Sequence, residues 1–443
     1  MVSFSITPLD ARLDQSIALE VSGLDAGARV ELRLRNHVLK AEASATFLAD
    51  DRGIVNVSTQ APIEGDYEGI EPAGLFWAAR FDAGADASTM ITALSSLEPL
   101  TYTATALVDG VEAARADFTR TLLTSHVVRT PVREGRLRGT LFARRASTNL
   151  PGVVVLGGSD GGDLYTYVAA MLAAHGMAAM SLAYFGHDDL PAELIGLPIE
   201  YFVEAVAWLG ARPEVGSSRV GMLGFSRGAE ASLITAATAP DVAAVVALVP
   251  GTLPGGGISA TDFSAMGKPA WTVNGTPLPL VPPSWDPVSM KEAQEAFATG
   301  QPLAATPAVL RALESAGAKV DDVAIRVERI RGPILMMSGE DDRLWPSTRF
   351  AEIAERRLNA ANFAHPFEHR RYAEAGHFAS LPPNLPARTA AARHPVVPMS
   401  LAFGGTPRAN AAASADLWPR IVAFLQEHLS SYWPASAGPT RSA

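Results

Sequence analysis

The stretch Val220–Ala239, VGMLGFSRGAEASLITAATA, decides the fold. Val220–Phe225 is a short apolar run of buried-strand type, and the residues from Ala229 onward are strong helix formers. Between them, Gly224-Phe225-Ser226-Arg227-Gly228 has the spacing G-x-S-x-G. Strand, sharp turn and helix at that spacing make a nucleophile elbow, which pushes a serine hydroxyl out of the sheet edge. The residues two before and two after the serine must be small, because strand and helix pass close there. Both are glycine. The helix N-terminus behind the serine favours the negative charge that develops on attack.

The pattern alone is a weak signal, and the chain holds a second copy, Gly157-Gly158-Ser159-Asp160-Gly161. It too follows an apolar run, Val153–Leu156. Another glycine follows, however, and a helix could start only near Asp163. The copy also comes too early for a nucleophile carried on a sheet already built. It reads as the loop that supplies an oxyanion donor.

Around these motifs the chain alternates. Val153–Leu156, Ala178–Tyr184, Val220–Phe225 and Val242–Val249 read as strands. Asp163–His175, Pro198–Leu209 and Gly228–Ala239 read as helices between them. Near-continuous apolar strands with intervening helices predict a mostly parallel, doubly wound sheet whose strand C-termini share one ligand-binding edge. A hairpin, Val127–Thr130 with Leu137–Ala143, precedes it. After Pro250 the alternation breaks for about 80 residues, too long for an ordinary connection. This insertion, about 251–330, starts at a strand C-terminus and is expected to overhang the site and form part of the substrate pocket. The sheet resumes with Ile334–Ser338, helix Thr348–Asn359 and strand Phe367–Tyr372. Leu417–Leu429 reads as an amphipathic closing helix.

Residues 1–125 differ. Short alternating runs such as Ser3–Thr7, Ile17–Val21, Val30–Leu34, Ala43–Leu48, Gly53–Val57 and Tyr102–Val108 are separated by turn residues. Strands at this spacing suggest an all-β, immunoglobulin-like sandwich domain, followed by the α/β domain over 126–443.

Composition narrows the function classes. The 443 residues are 48% hydrophobic and 19% charged, a globular composition. No apolar run is long enough for a membrane span. The opening MVSFSITPLDARLD carries no basic n-region or apolar h-region, so no secretory signal is read there. There are no cysteines, which excludes disulfides, thiolate metal sites and a cysteine nucleophile, and fits a cytoplasmic protein. A net charge of −10 argues against a nucleic-acid partner.

A serine hydroxyl needs a base, and the base needs an orienting acid. In chains built around such an elbow, acid and then histidine follow the serine. Gly339-Glu340-Asp341-Asp342 follows the strand Ile334–Ser338, and Ala373-Glu374-Ala375-Gly376-His377 follows Phe367–Tyr372. His377 is assigned as base and Asp342 as its orienter, with Asp341 left open by spacing. His365 and His369 are poorer candidates, His175 reads as a helix C-terminal residue, and His428 as a surface residue. The first oxyanion donor is expected from the backbone N–H of Arg227. The second is expected from the loop at Ser159, with Asp160 next. His187-Asp188-Asp189 reads as a polar loop without the further motif a metal site would need. Gly157–Gly162 lacks the Lys-Ser/Thr of a phosphate loop. No metal and no cofactor are expected.

Several stretches together resemble one family, the acyl-CoA thioester hydrolases and bile-acid-CoA:amino-acid N-acyltransferases. They are ADDRG (Ala49–Gly53), GDYEGIEPAGLF (Gly65–Phe76), LAYFGHDDLP (Leu182–Pro191), IEYF (Ile199–Phe202) and LGFSRGAE (Leu223–Glu230). Further on come GEDDRLWPS (Gly339–Ser347), AGHF (Ala375–Phe378) and GGTPRANAAASADLW (Gly404–Trp418). The resemblance spans nearly the whole chain. It implies a β-sandwich joined to an α/β-hydrolase domain, acting on acyl-CoA thioesters, with CoA entering only as part of the substrate. It places the triad at Ser226, Asp342 and His377 and favours Asp342 over Asp341. His187 stands where the family pattern has tyrosine. Members that conjugate bile acids are similar but carry cysteine as nucleophile, so Ser226 points to the hydrolase branch. The alternatives are an acyltransferase to an amine or alcohol, an ester or lactone hydrolase, and a non-catalytic binding protein. Acyl length and oligomeric state are open at this level.

Overall fold

In the computed structural model, residues 1–215, 220–284, 286–397 and 399–430 are described. An eight-stranded sheet dominates the second half. Its strands are β1 (Val127–Val132), β2 (Arg138–Arg144), β3 (Gly152–Leu156), β4 (Ala178–Ala183), β5 (Val220–Phe225), β6 (Val242–Leu248), β7 (Ile334–Gly339) and β8 (Phe367–Tyr372). They lie in the order β1-β2-β4-β3-β5-β6-β7-β8. β1, β2 and β4 pair antiparallel, and every pair from β4 through β3 to β8 is parallel. The sequence forces this centre. Every residue of β3, β4, β5 and β7 is buried, so the apolar runs have cover on both faces. Helices Thr166–Ala174, Glu200–Gly210, Arg227–Thr238 and Ser347–Ala360 alternate with the strands. The resulting architecture is an α/β hydrolase sheet preceded by a strand-rich N-terminal unit.

That unit has a three-stranded sheet (Ser3–Thr7, Ala18–Ser22, Val55–Asn56) and a seven-stranded one. Along Arg29–Asn36 burial alternates, with Val30, Leu32 and Leu34 in the same hydrophobic cluster as Leu19 and Val21. Two helices, Gly74–Trp77 and Ala87–Ser95, are additions to the strands expected here. So is Val111–Thr121, which pairs antiparallel with Leu100–Val108 through the turn Asp109-Gly110. Both turn residues have positive φ, 51° and 76°, as the primed turns of tight hairpins require. The Ala, Arg and Glu of the strand itself conceal it at the level of propensity.

The closing helix is longer than its amphipathic stretch, running Pro407–Leu429. Thr406 caps it, accepting the Ala409 N–H, with Pro407 in the first turn. Pro419, which on its own would mark a helix start, sits inside. His428, expected on the surface, is buried on this helix. No helix among the described residues is long and apolar enough to cross a membrane.

The insertion carries helices Pro287–Thr299, Thr306–Ala316 and Lys319–Val323. It is pinned to the elbow helix by a buried ion pair: Arg227 Nη1 donates to Glu230 Oε2 at 2.7 Å. Arg227 Nη2 reaches the Gly256 carbonyl at 2.8 Å. The Gly255 N–H (2.7 Å) and the Trp271 indole N–H both donate to Glu230 Oε1. The two halves of the chain meet at Asp14. Its carboxylate takes hydrogen bonds from Arg12 Nε (3.0 Å), Trp418 Nε1 (3.0 Å) and the His175 ring.

Burial opposes charge on Asp14, but the hydrogen bonds from His175 and Trp418, with the charges of His175 and Arg12, outweigh it and hold its pKa at about 2. A carboxylate depressed on folding stabilises above its unfolded pKa and loses that stabilisation as pH falls through the folded value. D14N should therefore cost about 2 kcal/mol at neutral pH, and the gap to the parent should close between pH 4 and 2. Urea unfolding at stepped pH measures this. E230Q leaves the Arg227 guanidinium buried without its counter-charge and should cost about 3 kcal/mol, read by the same method at pH 7.

Candidate active site

Ser226 sits where β5 turns into the helix Arg227–Thr238, with φ 53° and ψ −114°. A non-glycine residue there is strained by about 1–3 kcal/mol and needs surroundings that over-determine it. The surroundings are backbone. A Cβ on Gly224 would fall 2.2 Å from the Gly228 carbonyl oxygen, and a Cβ on Gly228 would fall 2.2 Å from that of Gly157. The Ser226 N–H donates to the Leu248 carbonyl at 2.9 Å, tying the turn to β6. Arg227 is the first helical residue, so its N–H belongs to the end amides that have no intrahelical acceptor.

His377 and Asp342 come from loops after β8 and β7. His377 Nδ1 and Asp342 Oδ2 are 2.8 Å apart and both side chains are buried. The other Asp342 oxygen accepts the N–H groups of Leu344 (3.0 Å) and Trp345 (3.3 Å). The ring therefore donates Nδ1–H to a carboxylate that is itself held, which leaves Nε2 as the basic nitrogen. Asp341 points elsewhere: it accepts the Gly405 N–H at 2.8 Å and Arg343 Nε at 3.0 Å. The geometry thus separates the two aspartates that spacing left open.

Ser226 and His377 line one small cavity with Gly158, Ser159 and Asp160. The Ser159 loop is braced by Tyr184, whose hydroxyl donates to the Gly157 carbonyl (2.9 Å) and to that of Gly158. Tyr165 Oη donates to Asp160 Oδ2 at 3.1 Å. A Cβ on Gly158 would lie 3.5 Å from Ser226 Cβ, at ordinary contact distance, so the loop runs beside the serine. The cavity measures about 20 Å³, room for about one water.

Other sequence candidates lie apart. His369 bridges Ser338 Oγ (2.8 Å) and Glu355 (3.0 Å) at the sheet edge. His365 borders an open hollow of about 540 Å³ beside the N-terminal ends of β6, β7 and β8, the edge opposite Ser226. Asp188 and Asp189 pair with Arg133 (2.7 Å) and Arg138 (2.6 Å). No described residue of the insertion lines the cavity, where the sequence led us to expect part of the pocket; its Thr306 hydroxyl instead donates to the Asp342 carbonyl at 2.7 Å. The Arg227 guanidinium is buried, with Nη1 on Glu230 and Nη2 on the Gly256 carbonyl. Part of the wall comes from segments without a motif signal: Leu381, His394 and Phe403 from the region before the closing helix, and Ser88 from the N-terminal unit. Only packing brings them there.

Comparison with known proteins agrees along the whole chain. Residues 14–134 match the family described as acyl-CoA thioester hydrolase/BAAT N-terminal region. Residues 197–431 match BAAT / acyl-CoA thioester hydrolase C terminal. Mouse mitochondrial acyl-coenzyme A thioesterase 2 is 32% identical over 432 residues, covering 94% of this chain and 87% of that protein. Mouse peroxisomal succinyl-coenzyme A thioesterase is 30% identical over 436 residues, covering 94% of each. A solved dienelactone hydrolase-like promiscuous phosphotriesterase from metagenomic libraries covers 68% of this chain and 98% of its own, at 17% identity and TM-score 0.39. With matches to both halves and relatives aligned over nearly its full length, the chain belongs to the acyl-CoA thioester hydrolase and bile-acid-CoA:amino-acid N-acyltransferase (BAAT) family.

Proposed function

We propose that the protein is an acyl-CoA thioesterase that works through a serine acyl-enzyme. The observation that carries this reading is the 2.8 Å contact between His377 Nδ1 and Asp342 Oδ2, in a histidine that shares its cavity with the elbow serine. His377 Nε2 takes the Ser226 proton as Oγ attacks the thioester carbonyl carbon. The Arg227 N–H and the backbone at Ser159 hold the oxyanion. The C–S bond then breaks, and the imidazolium returns its proton to the departing CoA thiolate. Water, deprotonated by His377, attacks the acyl-serine ester and releases the free acid and Ser226. Asp342 fixes the ring's tautomer and stabilises the imidazolium. The chemistry uses no cofactor, since CoA is part of the substrate, and EDTA should leave the rate unchanged.

A site with room for one water admits an acyl chain only when its walls move. Phe378, Leu381 and Phe403 are the side chains that must yield, so acyl preference is assigned to this segment and not to the insertion. The cytoplasmic location expected from composition is kept in this reading, although the relatives' names place two of them in mitochondria and peroxisomes.

The test is thiol release across a panel of acyl-CoAs and short esters, with and without amine acceptors. S226A should lose at least about 1000-fold in kcat. D342N should lose about 10⁴-fold through the wrong tautomer, whereas D341N should stay within a few fold. Undiminished turnover by S226A sinks the mechanism. Amide product dominating at high acceptor concentration would move the protein to the transferase branch.

A further inference from the structure

A second serine–histidine pair stands beside the first. Ser159 Oγ and His394 Nε2 are 2.9 Å apart, and both residues line the cavity of Ser226 and His377. His394 is buried, 6% exposed. Such a pair could be a second base and nucleophile, or a fixed hydrogen-bond donor. The backbone decides between them. The N–H groups of Val396 and Val397 donate to His394 Nδ1 at 3.2 and 3.0 Å. A ring nitrogen that accepts N–H bonds carries no proton, so in the neutral ring the proton is on Nε2. Burial pushes the His394 pKa below its ordinary value, with Asp160 opposing and His377 adding to the shift, which keeps the ring neutral.

Nε2–H therefore donates to Ser159 Oγ. With Nδ1 occupied and Nε2 protonated, the ring has no lone pair with which to deprotonate Ser159, and a second dyad is excluded. Ser159 accepts from His394 and keeps its own hydrogen for another acceptor. Among the described residues, His394 is the sole hydrogen-bond partner of that hydroxyl. Ser159 lines the cavity with Ser226, so that hydrogen can turn into it.

We propose that the Ser159 hydroxyl donates a hydrogen bond to the substrate's thioester carbonyl oxygen, and that His394 is the positioning residue that turns it there. This rests on the serine-thioesterase reading above. It also gives the N-terminal unit a part in the site. The residue next to His394 is clamped by the start of helix Ala87–Ser95. The Arg393 N–H donates to Asp86 Oδ2 at 2.9 Å, and the Ser88 hydroxyl donates to the Arg393 carbonyl at 2.6 Å. The first half of the chain thus sets the position of His394, which sets Ser159.

The experiment is steady-state hydrolysis of a short saturated acyl-CoA by the full chain and by S159A, S159T, H394A, H394Q and S159A/H394A. Circular dichroism and thermal unfolding check that each is folded. S159A should lose about 100-fold in kcat, as for removal of one oxyanion donor, with KM changed less than about threefold. S159T keeps the hydroxyl and should recover most of the loss. H394A should lose roughly tenfold, H394Q, whose amide can donate to Ser159, should lose less, and the double variant should match S159A because the two act as one unit. Should H394A fail to fold, the S159A and S159T pair decides. S159A within threefold of the parent kcat, or losses that multiply in the double variant, would overturn the proposal. An inactive S226A beside a fully active S159A would overturn this proposal alone; an active S226A would overturn the mechanism beneath it.

Discussion

Close backbone approach at two glycines is the constraint on which the rest depends. The strand before Ser226 and the helix after it pass so near that Gly224 and Gly228 have no room for a Cβ, and the Gly157 carbonyl closes the third side. This three-way contact holds Ser226 at a φ that serine rarely adopts. It also puts the second glycine-rich loop beside Ser226. One packing requirement therefore sets the position of the Ser226 hydroxyl, the helix amide behind it and the loop beside it. Strain of this kind is retained where the surroundings leave no alternative.

The remaining members are held by polar contacts that cross long stretches of chain. Asp342 is fixed by two amides of its own loop, and it fixes His377. The loop carrying Asp341 is tied to Gly405, just before the closing helix. Arg227 and Glu230 spend a buried ion pair on seating the insertion, not on binding substrate. A buried pair is costly to desolvate, and its value here is positional: it fixes Gly255 and Gly256 against the elbow helix. The N-terminal unit contributes in the same way, through Asp14 at one junction and Asp86 with Ser88 at another.

Much of this was legible because periodicity and turn chemistry are local. Uniformly apolar runs marked β3 through β7, and the elbow pattern marked Ser226. Boundaries drifted where a local cue misled. The amphipathic stretch Leu417–Leu429 marked only the second half of a helix that Thr406 and Pro407 start about ten residues upstream. The strand Val111–Thr121 was hidden by residues that favour helix, although its Asp-Gly turn was visible. His428, read as a surface residue, is buried on its helix.

The sequence by itself determined the class of fold, the elbow with its two glycines, and the pair of loops carrying the acid and the histidine. Those features are written in residue spacing, which backbone sterics translate directly. Which aspartate meets His377 was left open by spacing, and it, the segment that walls the cavity and the way His394 reaches Ser159 are fixed by tertiary structure. Each depends on side-chain direction across contacts more than thirty residues apart in the chain, and no local propensity encodes a direction at that range.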